Sequence, residues 1–273
     1  MQERTFTEEA LLERLKIGLE NDYIAPWFQP AMDPTGTVML SAEALPRFID
    51  PEYGVISPIT FLDVANKHDL LAPIGEVLLV KTCAAYAEWA ERGIAPELVT
   101  INLTGMELQA EGVVERIQGA LKKADIKPSN LGIEVVEATA CEEGCEKAIA
   151  AIEAFTNLGV RVIVDDLGIG PVNPENLRKL RASCAKIDRM TVSQLGIDDD
   201  ALGRVKELST ITREMGIPLI AKGVETRVQI DLLVETGCEG QQGFAIARPM
   251  PLDSFTEWLD LNTGWDTDAS DAA

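Results

Sequence analysis

The stretch RVIVDD (161–166) is a short apolar run that ends in two carboxylates. Runs of this length and composition are typical of strands buried in a sheet. The same pattern recurs along the chain, and we interpret eight runs as strands: WFQPAM (27–32), TVMLSAEAL (37–45), LVTINLT (98–104), LGIEVVE (131–137), RVIVDD (161–166), CAKID (184–188), PLIAKG (218–223) and GQQGFAI (240–246).

Helix-like stretches separate the later runs, and several of them end in glycine, as helices commonly do at their C-termini. Examples are IGEVLLVKTCAAYAEWAERG, CEKAIAAIEAFTNLG, VKELSTITREMG and RVQIDLLVETG. Eight strands with helices between most of them, within about 240 residues, favour an α/β fold of the (β/α)8 barrel type over a doubly wound sheet.

The first two runs depart from a regular barrel, because the segment MDPTGT (32–37) between them has turn chemistry. We therefore predict that they form an antiparallel hairpin. Residues 1–24 are predicted to form an amphipathic lead-in helix, and residues 25–262 the barrel domain. The tail 263–273 is small and acidic, and we expect it to be disordered.

The composition limits the classes of partner. The 45 acidic and 24 basic residues give a formal net charge of −21, which disfavours binding to duplex nucleic acid or to anionic lipid. Convergent carboxylates would instead attract hard divalent cations. No apolar run approaches the length of a membrane span, and the charged N-terminal segment does not read as a signal peptide.

The cysteines argue against a soft-metal site. Five are present without a CxxC motif, and His68 is the only histidine. This usage favours a reducing compartment, so we expect the protein in the cytoplasm.

Polar side chains follow the ends of most predicted strands, and barrel active sites gather at that end. Any single carboxylate there is also typical of a helix N-cap. Together, the carboxylates, amides and two lysines on one rim predict an oxygen-rich site for Mg²⁺ or Mn²⁺. The candidates are Glu43, Arg47, Asn102, Glu134, Glu137, Asp165, Asp166, Lys186, Asp188, Lys222 and Gln242.

A pair of such ions would suit phosphodiester hydrolysis, in which one activates water and the other stabilises the leaving oxygen. A lysine would absorb charge on the phosphoryl oxygens. The adjacent Asp165 and Asp166 would point to opposite faces of a regular strand. At the end of the strand the pleat can break, which would let both act in one site.

The motif SAEALPR (41–47) resembles the signature of the EAL-domain phosphodiesterases of cyclic di-GMP, and the similarity runs through nearly the whole chain. Further motifs fall in that family's order and spacing: FQP (28–30), GVISP (54–58), INLT (101–104), IEVVE (133–137), VDDLG (164–168), KIDR (186–189), KGVET (222–226) and QQGFAIARPMP (241–251). The resemblance implies a (β/α)8 barrel with an antiparallel first strand. It also implies Mg²⁺- or Mn²⁺-dependent opening of cyclic di-GMP to linear pGpG.

The resemblance implies a role for each matching position. The metal ligands would be Glu43, Asn102, Glu134 and Asp165. Asp166 would join a second metal or activate water, Lys186 would bind the phosphate or the attacking water, and Glu137 would brace the loop after the strand that carries Asp165 and Asp166. The residues that contact the substrate would be Gln29, Leu45, Arg47 and Gln242.

Lys222 is the first departure, because active members usually have glutamate at this position. Two unit charges about 4 Å apart at an effective dielectric near 20 interact by roughly 4 kcal/mol. Uncompensated repulsion of that size would weaken metal binding by about three orders of magnitude. A lowered pKa of Lys222 or an inward-facing Glu225 would reduce the repulsion between the lysine and a metal ion. A Lys222 side chain that points out to solvent would remove this repulsion.

The loop 167–173 is the second departure. DDLGIGPVN (165–173) stands where active members read DDFGTGYSS, so that Ile169, Pro171 and Val172 replace polar residues. In the family this loop lies near the second metal and in the dimer interface, which the changes put in doubt.

Three interpretations follow: a slow cyclic di-GMP phosphodiesterase, a degenerate receptor that binds the dinucleotide without cutting it, and a scaffold that uses neither ligand nor metal. The resemblance is also compatible with a homodimer and with an upstream sensory or cyclase-like domain.

Overall fold

The computed structural model describes residues 6–140 and 144–262 of the chain. Its strands are β1 Ile24–Met32, β2 Met39–Asp50, β3 Gly54–Ile56, β4 Val99–Asn102, β5 Leu131–Val136, β6 Arg161–Leu167, β7 Cys184–Ile187, β8 Leu219–Lys222, β9 Gly240–Gln242 and β10 Met250–Pro251. Its α-helices are α1 Glu8–Glu20, α2 Pro58–Lys67, α3 Leu71–Glu91, α4 Gly105–Gln109, α5 Val113–Ala124, α6 Glu146–Leu158, α7 Pro174–Lys179, α8 Arg189–Ser193, α9 Asp199–Glu214, α10 Arg227–Glu235 and α11 Leu252–Asn262.

The strands form one sheet that closes on itself. Its order is β10-β1-β9-β8-β7-β6-β5-β4-β2-β3, and the additional pairing of β1 with β2 completes a ring of eight strands. Strands β2 and β4 to β9 run parallel, whereas β1 is antiparallel to both of its neighbours in the ring. The predicted (β/α)8 barrel with an antiparallel first strand is therefore confirmed.

The hairpin that opens the barrel is organised by Asp33. Its Oδ1 accepts hydrogen bonds from the backbone N–H groups of Thr37 and Val38, both at 2.7 Å, so the carboxylate closes the turn. The resulting register places Gln29 opposite Glu43. Both strands are longer than predicted, because pairing continues from the turn as far as Ile24 and Phe48.

The core lies between the ring of strands and the surrounding helices, as the near-continuous apolar strands require. A smaller apolar cluster lies under α1 and α2 and includes Leu15, Phe48 and Phe61. In it Gly18 is packed so closely that a β-carbon would approach Phe48 to 2.6 Å. Helix α1 falls within the predicted lead-in segment, and the predicted disordered tail 263–273 lies outside the described residues.

None of the helices in the described part of the chain is long and apolar enough to cross a membrane.

Asp50 ties α1 to the barrel. It is 3% exposed and accepts hydrogen bonds from Arg14 and from the backbone N–H groups of Glu52 and Tyr53. Burial opposes ionisation, but these bonds outweigh it, so the pKa of Asp50 lies below its usual value. Its stabilising effect is therefore present above the unfolded-state pKa and is lost as the pH falls through the lower folded-state pKa.

We predict that Asp50→Ala lowers the free energy of unfolding by about 1–3 kcal/mol at pH 7, because three partly buried donors lose a buried, charged acceptor. The difference from the wild type should narrow below about pH 4. Urea denaturation at several pH values measures both effects. Glu52→Ala removes the exposed partner of the same arginine and should change stability by less than about 0.5 kcal/mol. Equal losses for the two variants would contradict this account.

Candidate active site

Five polar side chains meet in the barrel because the parallel register places the ends of neighbouring strands side by side. Asn102 of β4 pairs in register with Glu134 of β5, and its Nδ2 donates to Glu43 Oε1 of β2 at 2.8 Å. From β7, Lys186 Nζ donates to Glu43 Oε2 at 3.0 Å and to Glu134 Oε1 at 2.5 Å. The buried Asp165 follows on β6.

Lys186 lies at the centre of this cluster and is only 1% exposed. Its third N–H donates to Gln242 Oε1 at 3.2 Å, so all three donors of the ammonium group have acceptors. Burial favours the neutral amine, but Glu134 and Glu43 outweigh it and raise the pKa of Lys186. The charged form of Lys186 is therefore favoured, and in that form the side chain acts as a hydrogen-bond donor.

The two buried glutamates differ in how well they are neutralised. Burial raises the pKa of a carboxyl group. At Glu43 the ammonium groups of Lys186 and Lys222 outweigh burial, and its pKa falls to about 2. At Glu134, burial and the charge of Glu43 prevail over Lys186, and the pKa rises to about 7. Glu134 is thus the less well neutralised of the two buried glutamates.

The end of β6 has the break in the pleat that the sequence predicted. Asp166 has a φ of 54°, and the register between β6 and β7 shifts between Val164 and Leu167. Asp165 and Asp166 can therefore contact the same group although they are adjacent in sequence. Lys222 Nζ lies 2.5 Å from Asp165 Oδ2 and 3.0 Å from Asp166 Oδ1.

Lys222 therefore points into the site rather than out to solvent. Burial would lower its pKa, but Asp165, Glu43 and Asp166 outweigh burial, so the pKa of Lys222 is raised and not depressed. Glu225 does not turn inward to neutralise it, because Glu225 pairs with Arg189 at 2.7 Å. The two compensations predicted from the sequence, a lowered pKa of Lys222 and an inward-facing Glu225, are therefore wrong. Asp165 and Asp166 neutralise the lysine instead.

Two buried carboxylate oxygens, Glu134 Oε2 and Asp165 Oδ1, have no hydrogen-bond partner within residues 6–140 and 144–262. Such atoms are costly in a protein interior unless a cation or water satisfies them. With Glu43 and the side-chain amide of Asn102 they provide the oxygen ligands that a hard divalent cation prefers. Their chemistry therefore fits one ion.

The site is not preassembled around an ion. Among the described residues, no three acidic, histidine or cysteine side chains converge closely enough to hold a metal as they stand. In this arrangement Lys186 engages Glu43 and Glu134, while Lys222 engages Asp165. The space between Asp165 and Asp166 is taken by the ammonium group of Lys222.

Glu137 contacts the segment that follows β6. Its Oε1 accepts from the backbone N–H of Asn173 at 3.0 Å and from Asn176 Nδ2 at 3.1 Å. Asp188 has a different position from the metal candidates, because it caps the N-terminus of α8 by accepting from Met190 N and Thr191 N. Asp188 is thus a helix N-cap, which is the other role expected for a carboxylate at the end of a strand.

The substrate candidates divide into two groups. Gln242 belongs to the buried cluster, where its Nε2 donates to Glu43 Oε2 at 2.8 Å, and Gln29 Nε2 donates to the carbonyl of Ala247 at 2.9 Å. Leu45 and Arg47 lie outside the cluster and are half-buried. No ion pair engages Arg47 within the described residues, and its guanidinium carbon lies 5.3 Å from the centre of the Trp27 ring.

The structure adds residues that pattern reading missed. Thr100, a buried residue of β4, donates a hydrogen bond from its hydroxyl to Glu134 Oε1 at 2.5 Å. The only sequence signal for this contact is that Thr100 is a polar residue within an apolar run. Gly243 follows Gln242 where a β-carbon would lie 2.2 Å from the Val224 backbone. That close approach accompanies the hydrogen bond from Val224 N to the carbonyl of Gln242 at 3.0 Å.

The comparisons with known proteins point to one family. The model of the EAL domain matches residues 11–249. MucR of Pseudomonas aeruginosa, a bifunctional diguanylate cyclase and cyclic di-GMP phosphodiesterase, is 32% identical over 90% of this chain and 36% of its own length. The cyclic di-GMP phosphodiesterase PdeR of Escherichia coli is 28% identical over 94% of this chain and 39% of its own length. The chain thus spans less than half the length of these two relatives.

Solved structures agree. The PaMucR phosphodiesterase in its c-di-GMP complex superposes with a TM-score of 0.85 and 32% identity, and the match covers 90% of this chain and 99% of that one. The FimX EAL domain of Xanthomonas citri has a TM-score of 0.81 at 18% identity, covers 89% of this chain and 94% of that one, and supports the fold alone.

Removing the charge of Lys186 tests the buried network. We predict that Lys186→Met lowers the free energy of unfolding by about 3–5 kcal/mol at pH 7, because Glu43 and Glu134 would face each other without their shared cation. Denaturant unfolding measures the loss. Lys206→Met, on the exposed face of α9, should lie within about 0.5 kcal/mol of the wild type. A similarly small change in the free energy of unfolding for both variants would show that the buried network does not stabilise the fold.

Proposed function

The chain belongs to the EAL domain family, and on that basis we propose that it binds cyclic di-GMP and opens it slowly to linear pGpG, with Mg²⁺ or Mn²⁺. EAL domains are metal-dependent phosphodiesterases. The observation that carries the proposal is the convergence of Glu43, Asn102, Glu134, Asp165 and Lys186 in the barrel. Two buried carboxylate oxygens of this set lack partners in the part of the chain that the structure describes.

The metal ligands would be Glu43, Asn102, Glu134 and Asp165. When bound, a divalent cation supplies Lewis-acid stabilisation of phosphoryl oxygen and lowers the pKa of a bound water. Lys186 donates hydrogen bonds to anionic oxygen, since its ammonium is held protonated by its neighbours. Asp166, whose side chain is 38% exposed, is the carboxylate that a water molecule can reach to be oriented for attack.

The substrate would lie over the rim near Arg47 and Leu45, with Gln29 and Gln242 below. A guanidinium matches the geometry of a phosphate because it donates two parallel hydrogen bonds. Arg47 suits this role since no carboxylate among the described residues engages it. Its guanidinium donates to the carbonyl of Pro46 at 2.8 Å and lies 5.3 Å from the centre of the Trp27 ring.

A receptor that binds cyclic di-GMP without cutting it is the second candidate. The ion pairs of Lys222 with Asp165 and Asp166 favour it, because they occupy the oxygens that would otherwise orient water or hold metal. The altered loop favours it as well, since Ile169 is 73% exposed where the family has a polar residue.

The wider setting is also proposed. Relatives much longer than this chain suggest that it works with an upstream sensory or cyclase-like domain. The exposed side chains of Ile169, in the loop after β6, and Met190, in α8, line the same surface cavity and suit contact with a second copy of the chain. We propose the cytoplasm as its location, in keeping with the cysteine usage.

The first test is incubation with cyclic di-GMP and Mg²⁺ or Mn²⁺, with chromatography for pGpG and a binding titration in parallel. We expect pGpG to form slowly with metal and not with a chelator. Glu43→Gln should abolish the product, because it removes a charged ligand. Tight binding without product would favour the receptor, and absence of both would refute the proposal.

Arg47→Ala tests the phosphate contact. We expect the dissociation constant of cyclic di-GMP to rise by about 10- to 100-fold, since a hydrogen bond to a charged group contributes roughly 1.5–3 kcal/mol. Arg92→Ala, at the C-terminal end of α3, should leave the affinity unchanged, because that end precedes β4 and lies away from the rim. Unchanged affinity in Arg47→Ala would remove this residue from the site.

A further inference from the structure

The ammonium group of Lys222 lies where two neighbouring carboxylates would otherwise share a metal ion. It contacts Asp165 Oδ2 and Asp166 Oδ1, and its side chain is 21% exposed. The lysine is the last residue of β8 and pairs in register with Gln242 of β9, so the backbone at its base is part of the closed ring. We propose that Lys222 acts as a tethered substitute for a second cation, so that the site takes one divalent ion per chain. This inference rests on the proposed metal-dependent function and concerns how many ions it uses.

The charge balance of the site supports a single ion. Four carboxylates, Glu43, Glu134, Asp165 and Asp166, face the two ammonium groups of Lys186 and Lys222. With all four carboxylates ionised, as metal ligands must be, two negative charges remain, and one divalent cation would balance them. With glutamate in place of Lys222, four negative charges would remain, which is the charge of two such ions.

The unsatisfied atoms show on which side this ion belongs. Glu134 Oε2 and Asp165 Oδ1 are the buried carboxylate oxygens without partners among the described residues. Both belong to the set that also contains Glu43 and Asn102. Asp166 is not among these residues, because its side chain is 38% exposed and its Oδ1 accepts from Lys222. The buried oxygens that still need a cation therefore belong to Glu134 and Asp165, and not to Asp166.

A second ion could reach Asp165 and Asp166 together only by displacing Lys222. The displaced ammonium would leave a position between two carboxylates and would be repelled by the incoming charge. Arg189 and Glu225, which follow β7 and β8, are already paired with each other at 2.7 Å. Glu225 is thus committed elsewhere and does not serve as a replacement ligand.

The same geometry leaves a group for the substrate. Two of the three N–H bonds of Lys222 point to Asp165 and Asp166, and within the described residues no third acceptor engages it. One N–H remains for an anionic oxygen. A phosphoryl oxygen of the dinucleotide would then meet one metal ion and one ammonium group, in place of two metal ions.

Counting Mn²⁺ tests the inference without any need for turnover. The folded protein, free of nucleotide, is titrated with Mn²⁺, and the free ion is followed by electron paramagnetic resonance. We expect one Mn²⁺ per chain for the wild type and two for Lys222→Glu, with the second absent or at least a hundredfold weaker in the wild type. Lys206→Glu makes the same charge change on the exposed face of α9 and should keep one.

The outcomes separate this inference from the proposed function. Two Mn²⁺ per wild-type chain, or none, would overturn it, as would a Lys222→Glu variant that still binds one. If Lys222→Glu fails to fold, the wild-type count still decides, and Lys222→Gln should gain a weak second site. One ion in the wild type and two in Lys222→Glu, with no pGpG and no binding of cyclic di-GMP, would support the inference while refuting the proposed function.

Discussion

The buried ammonium group of Lys186 is the interaction on which the interior of the barrel depends. It is held by Glu43 from β2, Glu134 from β5 and Gln242 from β9, so strands from three parts of the ring are joined through one cation. A charge this deep is tolerated only because each of its hydrogen bonds is made. The same requirement keeps the carboxylates close together, which is what a metal site needs.

Lys222 also neutralises carboxylates with an ammonium group, but it does so nearer to the solvent than Lys186. At the rim it joins Asp165 to Asp166, and the unusual backbone at Asp166 lets both carboxylates reach it. The site thus has an inner cation that organises the ligands and an outer one that neutralises the acidic pair. Glu134 and Asp165 each retain a buried oxygen that has no partner in the described part of the chain. The proposed function requires a divalent cation to satisfy these two oxygens.

Much of the architecture could be predicted because it follows from local rules. Apolar runs separated by helical stretches imply a parallel sheet covered by helices, and the turn chemistry at Asp33 implies the antiparallel start. The lengths of β1 and β2 could not be predicted, because pairing between them continues past Pro26 and Pro46, and a proline usually argues against a continuing strand. Residues such as Thr100 escaped notice since a threonine in a strand usually has no special partner.

The sequence by itself determined the barrel, the order of its strands along the chain and the set of polar residues at their ends, because each depends on hydrophobic period and chain order. It also identified Lys222 as the position where this chain departs from its family. Only the tertiary structure decided what that lysine contacts. Its direction depends on Asp165 and Asp166, 57 and 56 residues away along the chain, and on the closed ring that brings β6 and β8 near one another. Contacts between residues so distant are set by packing and electrostatics in three dimensions, which no local pattern records.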